Sequence, residues 1–272
     1  MTGAKVLALS SEVVYGPVGN SAAVPGLQSL GIAVLALPTV LLSNHPGHGV
    51  PVKVALAAAD LAAMLDRVLA GGWLDGLAGI LTGYFTDAGQ VAVVAERLVR
   101  IRHRAPDVTI LCDPILGDDH TGLYVPLTVA EAIRDRLVPL ADVIAPNRFE
   151  LAWLSGRQVH DGEEAVAAAR SLAPALTLAT SIPAASERLA TMAISRAGIE
   201  QVETRRRARV PHGTGDLLSG LYLGHLVKGA CPGAALAAAM ARLEAVLDSS
   251  EGEPALDLTA LNGLEAGHEA KP

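Results

Sequence analysis

Short, almost unbroken apolar runs alternate along this chain with longer stretches of helical spacing. The runs cover residues 5–9, 32–40, 76–81, 108–112, 143–145, 176–180 and 191–195. A strand that is apolar at successive positions has both faces covered, which is the condition of a parallel sheet between helix layers. Between the runs, residues 52–70, 88–104, 128–137, 161–172, 214–228 and 232–247 carry apolar side chains at helical intervals, with charges on one side. The alternation predicts βαβ units, hence a three-layer α/β/α fold with a mostly parallel central sheet. No internal repeat or Gly/Ser linker divides the chain, so residues 1–248 read as one domain. From Ser249 the sequence turns to Ser-Ser-Glu-Gly-Glu-Pro and a polar end, and residues 249–272 read as a loosely attached tail.

Composition removes several classes. Of 272 residues 51% are hydrophobic and 18% charged, too apolar for a disordered chain. A net charge of −7 gives no basic footprint for nucleic acid. Two cysteines, Cys112 and Cys231, make neither a disulfide framework nor a Cys-based zinc site. The apolar run at 6–9 is too short for a signal-peptide core, and no stretch nears the ~20 apolar residues of a membrane span. The expectation is a cytoplasmic protein without membrane or nucleic-acid partners.

The strongest local signal is His212-Gly213-Thr214-Gly215-Asp216, which opens an apolar helix. Glycines let the backbone turn tightly and approach a ligand. The free N–H groups of a helix start attract anions. Asp216 there could cap the helix, or accept a proton from an alcohol beside a bound phosphoryl group. No Gly-x₄-Gly-Lys-Ser/Thr occurs, so this is not a P-loop. Four other segments follow strand runs: 10–23 with Ser11 and Tyr15-Gly16-Pro17-Val18-Gly19-Asn20, 39–48 with Ser43-Asn44-His45-Pro46-Gly47-His48, 112–118 with Cys112-Asp113-Pro114, and 145–150 with Ala145-Pro146-Asn147 and Glu150. Open α/β sheets place ligands at strand ends, so their recurrence points to one shared site.

Together these segments, with Thr82-Gly83-Tyr84, resemble the pyridoxal kinase family of the ribokinase-like superfamily, in family order over residues 6–247. The Gly-Thr-Gly-Asp motif marks the superfamily. The Val-Tyr-Gly-x-Val-Gly-Asn and Ser-Asn-His motifs narrow the match to pyridoxal kinases. The resemblance implies ATP-dependent phosphorylation of the 5′-hydroxyl of pyridoxal, and of pyridoxine and pyridoxamine, in vitamin B6 salvage. It implies Asp216 as proton acceptor, with Gly213, Thr214 and Gly215 as an anion hole. It implies Asp113 and Glu150 as acids of the ATP–Mg²⁺ side. Ala145, Asn147, Thr180 and Val210 become nucleotide contacts, and Asp118 and Tyr124 a flap over the nucleotide, although Asn147 could simply cap the next helix and Asp118 could be a surface turn residue. On the substrate side it implies Ser11 bonding the ring edge, Val18 packing on the ring, and His45, Pro46, Gly47 and Tyr84 lining the pocket. A homodimer is implied as well.

The chain also departs from the family pattern. Many relatives have threonine where Pro46 stands, and proline offers neither hydroxyl nor N–H. The aromatic residue some relatives carry nearby is missing from Gly47-His48-Gly49-Val50, and Glu12 replaces a histidine or neutral residue. These changes bear on which vitamer is preferred. A hydroxymethylpyrimidine kinase of the same fold, or a vitamer-binding protein without catalysis, are the competing readings. The His45/His48 pair lacks a third ligand for a metal. The basic run 205–209 could meet ATP phosphates or simply be a solvated strand edge.

Overall fold

A nine-stranded sheet organises the molecule, a computed structural model that describes residues 3–263. In chain order the elements are β1 (Lys5–Tyr15), α1 (Asn20–Ser29), β2 (Ala33–Asn44), β3 (Lys53–Ala55), α2 (Ala58–Ala70), β4 (Leu77–Thr82), α3 (Ala88–Arg104) and β5 (Thr109–Cys112). A hairpin of β6 (Gly117–Asp118) and β7 (Gly122–Leu123) follows, then α4 (Leu127–Ala132), β8 (Val143–Ile144), α5 (Arg148–Ser155) and α6 (Gly162–Arg170). The chain ends with β9 (Leu176–Pro183), β10 (Arg188–Ser195), β11 (Ile199–Arg205), α7 (Thr214–Val227) and α8 (Pro232–Ser249).

The strand order is β11-β10-β9-β8-β5-β4-β1-β2-β3. The six strands from β9 to β2 pair in parallel, while β3, β10 and β11 are antiparallel additions at the edges. The chain leaves β1 toward β2 and returns on the other side at β4. The sheet therefore reverses its winding at β1/β4, where a crevice opens beyond the strand ends.

The helices cover both faces, as the alternation requires. On one face Leu27 of α1, Leu217, Leu221 and Tyr222 of α7, and Leu236 and Leu243 of α8 close over Val6, Leu111 and Leu178. On the other, Leu61 and Leu65 of α2 and Val94 and Leu98 of α3 pack on Leu7, Leu9 and Ile110. Helix α3 shows the local logic. Asp87 caps it by accepting from the Gln90 N–H at 3.0 Å, its apolar stripe is buried, and Arg102, His103 and Arg104 sit at the negative end of its dipole. Helix α7 is buried throughout 217–224 because α1 and α8 flank it, which fixes where its first turn points.

The structure differs from the sequence-based expectations at several places. Residues 52–70 are not one helix: Lys53–Ala55 pairs antiparallel with β2, and α2 begins at Ala58. Val52 and Val54 are β-branched and stand on the strand side of that break. Helix α1 was hidden by Pro25 inside it, and α5 by its brevity. The expected loose tail is fastened as far as Gly263. Ser250 accepts from the Asp257 N–H at 2.8 Å, and Leu256 and Leu261 join the core beside α7 and α8. Two leucines folded back by a short helical turn at Leu258–Gly263 bury enough apolar surface to hold it. The rest of that segment, 264–272, lies outside the described residues.

Candidate active site

The parallel strands deliver the predicted residues to one end of the sheet. Ser11 lies at the register shift between Ser10 and Glu12 in β1, Tyr84 follows β4, Asp113 follows β5, Ala145 and Asn147 follow β8, and Thr180 lies in β9. Backbone bonds fix these ends to one another. Asp113 N–H donates to Thr82 at 2.8 Å, Ala145 N–H to Cys112 at 3.0 Å and Thr180 N–H to Pro146 at 3.0 Å. Ser10, which the sequence did not single out, ties β1 to β4 by accepting from the Tyr84 N–H at 3.0 Å.

The glycine-rich turn that opens α7 is built by close backbone approach. Gly213 has φ +91°, and a Cβ there would stand 2.0 Å from the Pro17 carbonyl oxygen. Gly19 has φ +58°, and its Cβ would meet the Ser11 hydroxyl at 2.2 Å. The loop 16–19, which carries Val18, is thus wedged between Ser11 and the start of α7. No side chain caps α7, and the space where a Gly215 side chain would stand is open. The free N–H groups of a helix start and the positive end of its dipole belong to this turn. Thr214 spends its hydroxyl on the Pro211 carbonyl at 2.8 Å, which leaves its N–H to the turn.

Asp216 occupies the first turn of α7. Burial pushes its carboxyl up to about 6, against the opposing pull of the Gly19 N–H and its own N–H. Asp113 accepts a 2.8 Å bond from the Ser219 hydroxyl, one turn along α7 on the same face. Burial, then Asp216, then Glu150, drive Asp113 well above the usual carboxylate range. Glu150 is raised to about 7, chiefly by burial. Among the described residues no Lys or Arg pairs with these three acids, and none of the His, Cys, Asp and Glu side chains form a group that could hold a metal ion unaided. A cation arriving with its own oxygen ligands fits this cluster.

Glu150 and Asn147 have structural tasks that the sequence did not separate from ligand contact. They form a capping box: the Glu150 N–H donates to Asn147 Oδ1 at 3.0 Å, and the Asn147 N–H to Glu150 Oε2 at 2.9 Å. Glu150 Oε1 accepts from the Leu116 N–H at 2.8 Å, and Asn147 Nδ2 donates to the Gly117 carbonyl at 2.8 Å. The pair therefore anchors the β6–β7 hairpin to α5. On that hairpin Asp118 Oδ1 accepts from the His120 and Thr121 N–H groups, and burial is outweighed by these bonds so that its carboxyl lies below the usual range. Tyr124 is 45% exposed, yet its hydroxyl is held above its ordinary value by desolvation and by Glu150, Asp113 and Asp216. Burial pushes the Cys112 thiol up to about 12, which leaves it an inert core residue.

On the opposite wall, Pro46 opens a short turn, Pro46–His48, and His45 Nδ1 accepts from the Gly47 N–H at 3.1 Å. Burial, then His212 and His48, lower His45 to about 4, so it is a neutral imidazole near pH 7. Tyr84 is raised by burial and lies half-buried, its carbonyl accepting from the Thr39 hydroxyl at 2.6 Å. Val210 is 47% exposed on the loop before α7. In the basic run, Arg207 turns away from the cleft to pair with Glu244 and Asp248 on α8.

A sequence profile described as phosphomethylpyrimidine kinase matches residues 28–253. A pyridoxal kinase of Rubrobacter xylanophilus is 37% identical over 255 residues, covering 91% of this chain and 88% of that protein. The chain belongs to the pyridoxal kinase family. Its fold superposes on the pyridoxal kinase of Entamoeba histolytica with a TM-score of 0.89 at 27% identity, covering 96% of each chain. It superposes on the Leishmania donovani pyridoxal kinase in complex with ADP and pyridoxine with a TM-score of 0.86 at 29% identity, covering 94% and 92%. The ribokinase-like three-layer fold implied by the motifs is the fold of these kinases. Among the described residues no helix is long and apolar enough to cross a membrane.

Proposed function

We propose that the chain is a pyridoxal kinase: it moves the terminal phosphoryl group of ATP to the 5′-hydroxyl of pyridoxal, and of pyridoxine and pyridoxamine. The observation that carries this is Asp216, a half-buried carboxylate raised by desolvation to about 6, on the uncapped first turn of α7. A base with that pKa is better matched to neutral pH than an ordinary aspartate. It takes the hydroxyl proton as the oxygen bonds to phosphorus and ADP departs. The Thr214 and Gly215 N–H groups and the α7 dipole balance the charge of the group in flight. A binding protein needs no such base.

Asp113 would hold Mg²⁺ carried on the nucleotide, through water, with Glu150 adding charge rather than a ligand atom because its oxygens are engaged. The ion, when bound, neutralises the triphosphate. Ala145, Asn147, Thr180 and Val210 border the nucleotide, with Asp118 and Tyr124 on the hairpin above it. Ser11, Val18, His45, Pro46, Gly47 and Tyr84 surround the pyridine ring. A homodimer is supported by an apolar margin at the sheet edge, where Val14, Leu41, Val50, Val52 and Val54 are exposed.

Coupled ATP consumption with each of the three vitamers and with hydroxymethylpyrimidine tests the reading. Turnover with vitamers well above that with the pyrimidine is expected. The reverse ranking would assign the pyrimidine named by the family profile, and no turnover with either would end the kinase reading.

A further inference from the structure

Four rings line up along the Pro46–His48 side of the cleft. Tyr15, at the end of β1, meets His48 edge-on with 5.0 Å between centroids, and His48 meets His45 at 6.3 Å. His45 in turn lies over His212 at 4.0 Å, with 31° between the planes. That last contact joins the turn after β2 to the residue directly before the catalytic turn. A Cβ on Gly47 would stand 2.6 Å from His212 Nε2, so the backbone of the turn rests against the same ring. Phosphoryl transfer as described above gives His212 no task.

The charged and titratable groups that face His212 come from both sides. His45 and His48 belong to the turn after β2, and Asp118 belongs to the β6–β7 hairpin across the cleft. Burial and His48 favour the neutral imidazole, while Asp118 favours the cation. The stacked arrangement suits two neutral rings. A protonated His212 would be drawn toward Asp118 and away from its histidine neighbours.

We propose that His212 is a positioning residue that, stacked on His45 and seated against Gly47, fastens the Pro46–His48 turn to the catalytic turn and so fixes the substrate wall relative to Asp216. Its effect on substrate rests on the pyridoxal kinase reading. The fastening of the two turns does not.

Two variants and two measurements decide it. In His212→Ala the KM for pyridoxal should rise about tenfold while kcat and the KM for ATP stay within about twofold, because one contact is lost on one side of the cleft. Hydrogen exchange at the His48 and Gly49 amides, which close the turn by donating to His45 and Pro46, should accelerate in the same variant. His212→Phe keeps a ring without a titrating nitrogen. It should restore the KM, and its KM should depend less on acid pH than that of the native protein, because the ring at this position no longer titrates. Unchanged KM and unchanged exchange in His212→Ala would overturn the proposal. So would parallel increases for ATP and pyridoxal, or a His212→Phe variant as impaired as His212→Ala. Should His212→Ala fail to fold, His212→Gln takes its place, with the same expectations. Should the native protein consume no ATP with any vitamer, the functional reading falls, and the exchange measurement still decides whether His212 fastens the turns.

Discussion

On one side of the cleft lie three carboxylates, where Asp216 raises both Asp113 and Glu150 and Glu150 raises Asp113 further. On the other side three imidazoles, His45, His48 and His212, touch through their rings, and His45 and His212 are lowered. Burial disfavours charge in both places, but the consequences are opposite. His45 and His212 reach neutrality by shedding protons and are then complete, an uncharged ring pair suited to a heteroaromatic neighbour. The carboxylates reach it only by holding protons, which a divalent cation can replace. In the proposed reading the first wall recognises shape, and the second takes a cation.

The largest expected effect removes what the carboxylate side waits for. With divalent cations chelated, vitamer-dependent ATP consumption should fall to background, since the triphosphate charge is then balanced by neither ion nor protein. Because a cation displaces protons from acids raised to about 6 and about 7, binding of metal–ATP near pH 6.5 should release protons. Calorimetry in buffers of different ionisation enthalpy reads that release. Uptake of protons instead would mean the carboxylates do not face the nucleotide.

Asp216→Asn comes next. It keeps the size of the side chain and loses the proton acceptor, so turnover should drop ~10²–10⁴-fold with nucleotide binding retained. In the native enzyme kcat should decline as pH falls through about 6, because the base is active only when deprotonated. Near-native turnover in Asp216→Asn would remove it from that role.

These two experiments concern residues that could be read from the sequence, and the reason is local. Gly-Thr-Gly-Asp declares a helix start whatever surrounds it, and acids after apolar runs declare strand ends. The fold class was legible for the same reason, since continuous apolar runs suit only buried parallel strands. What stayed hidden depends on distant partners. Ser219 matters because α7 brings it against Asp113, and Ser10 because β4 lies beside β1. His212 gains meaning only through His45. Resemblance places Glu150 on the metal side, and its bonds to three backbone N–H groups could not be read because Leu116 and Gly117 are distant in sequence. The strand extensions 10–15 and 41–44 read as loops because Ser10, Ser11, Glu12, Ser43 and Asn44 interrupt their apolar runs.

Glu150→Ala separates those two tasks. It orphans buried N–H groups at Leu116 and Asn147, each costing ~1–3 kcal/mol, so the melting temperature should fall by several degrees. The KM for ATP should rise with the loosened hairpin while the KM for pyridoxal holds. A variant that loses metal–ATP affinity at unchanged stability would return Glu150 to the ligand role. On the other wall, Ser11→Ala should raise the KM for pyridoxal by roughly tenfold, a net hydrogen bond being worth ~1 kcal/mol or somewhat more. Its KM for ATP should not move. Equal losses for both substrates would mean that Ser11 supports the Gly19 loop and does not read the ring.

The smallest effect tests the comparison itself, through stability against pH in metal-free buffer. Glu150, raised to about 7, binds more protons folded than unfolded between its ordinary value and 7. Its contribution is therefore full at low pH and is lost as pH rises through that window. His45, lowered to about 4, has the reverse sign: the unfolded chain binds more protons between about 4 and the ordinary histidine value, so its contribution grows as pH rises. The two slopes oppose each other over most of the same range and flatten the native profile. Glu150→Gln should leave a melting temperature that climbs more steeply from pH 4.5 to 7 than the native one, whatever its constant offset. His45→Gln should climb less steeply, or fall. If both variants tilt the profile the same way, the carboxylates and imidazoles are not opposed, and the contrast between the two walls is wrong.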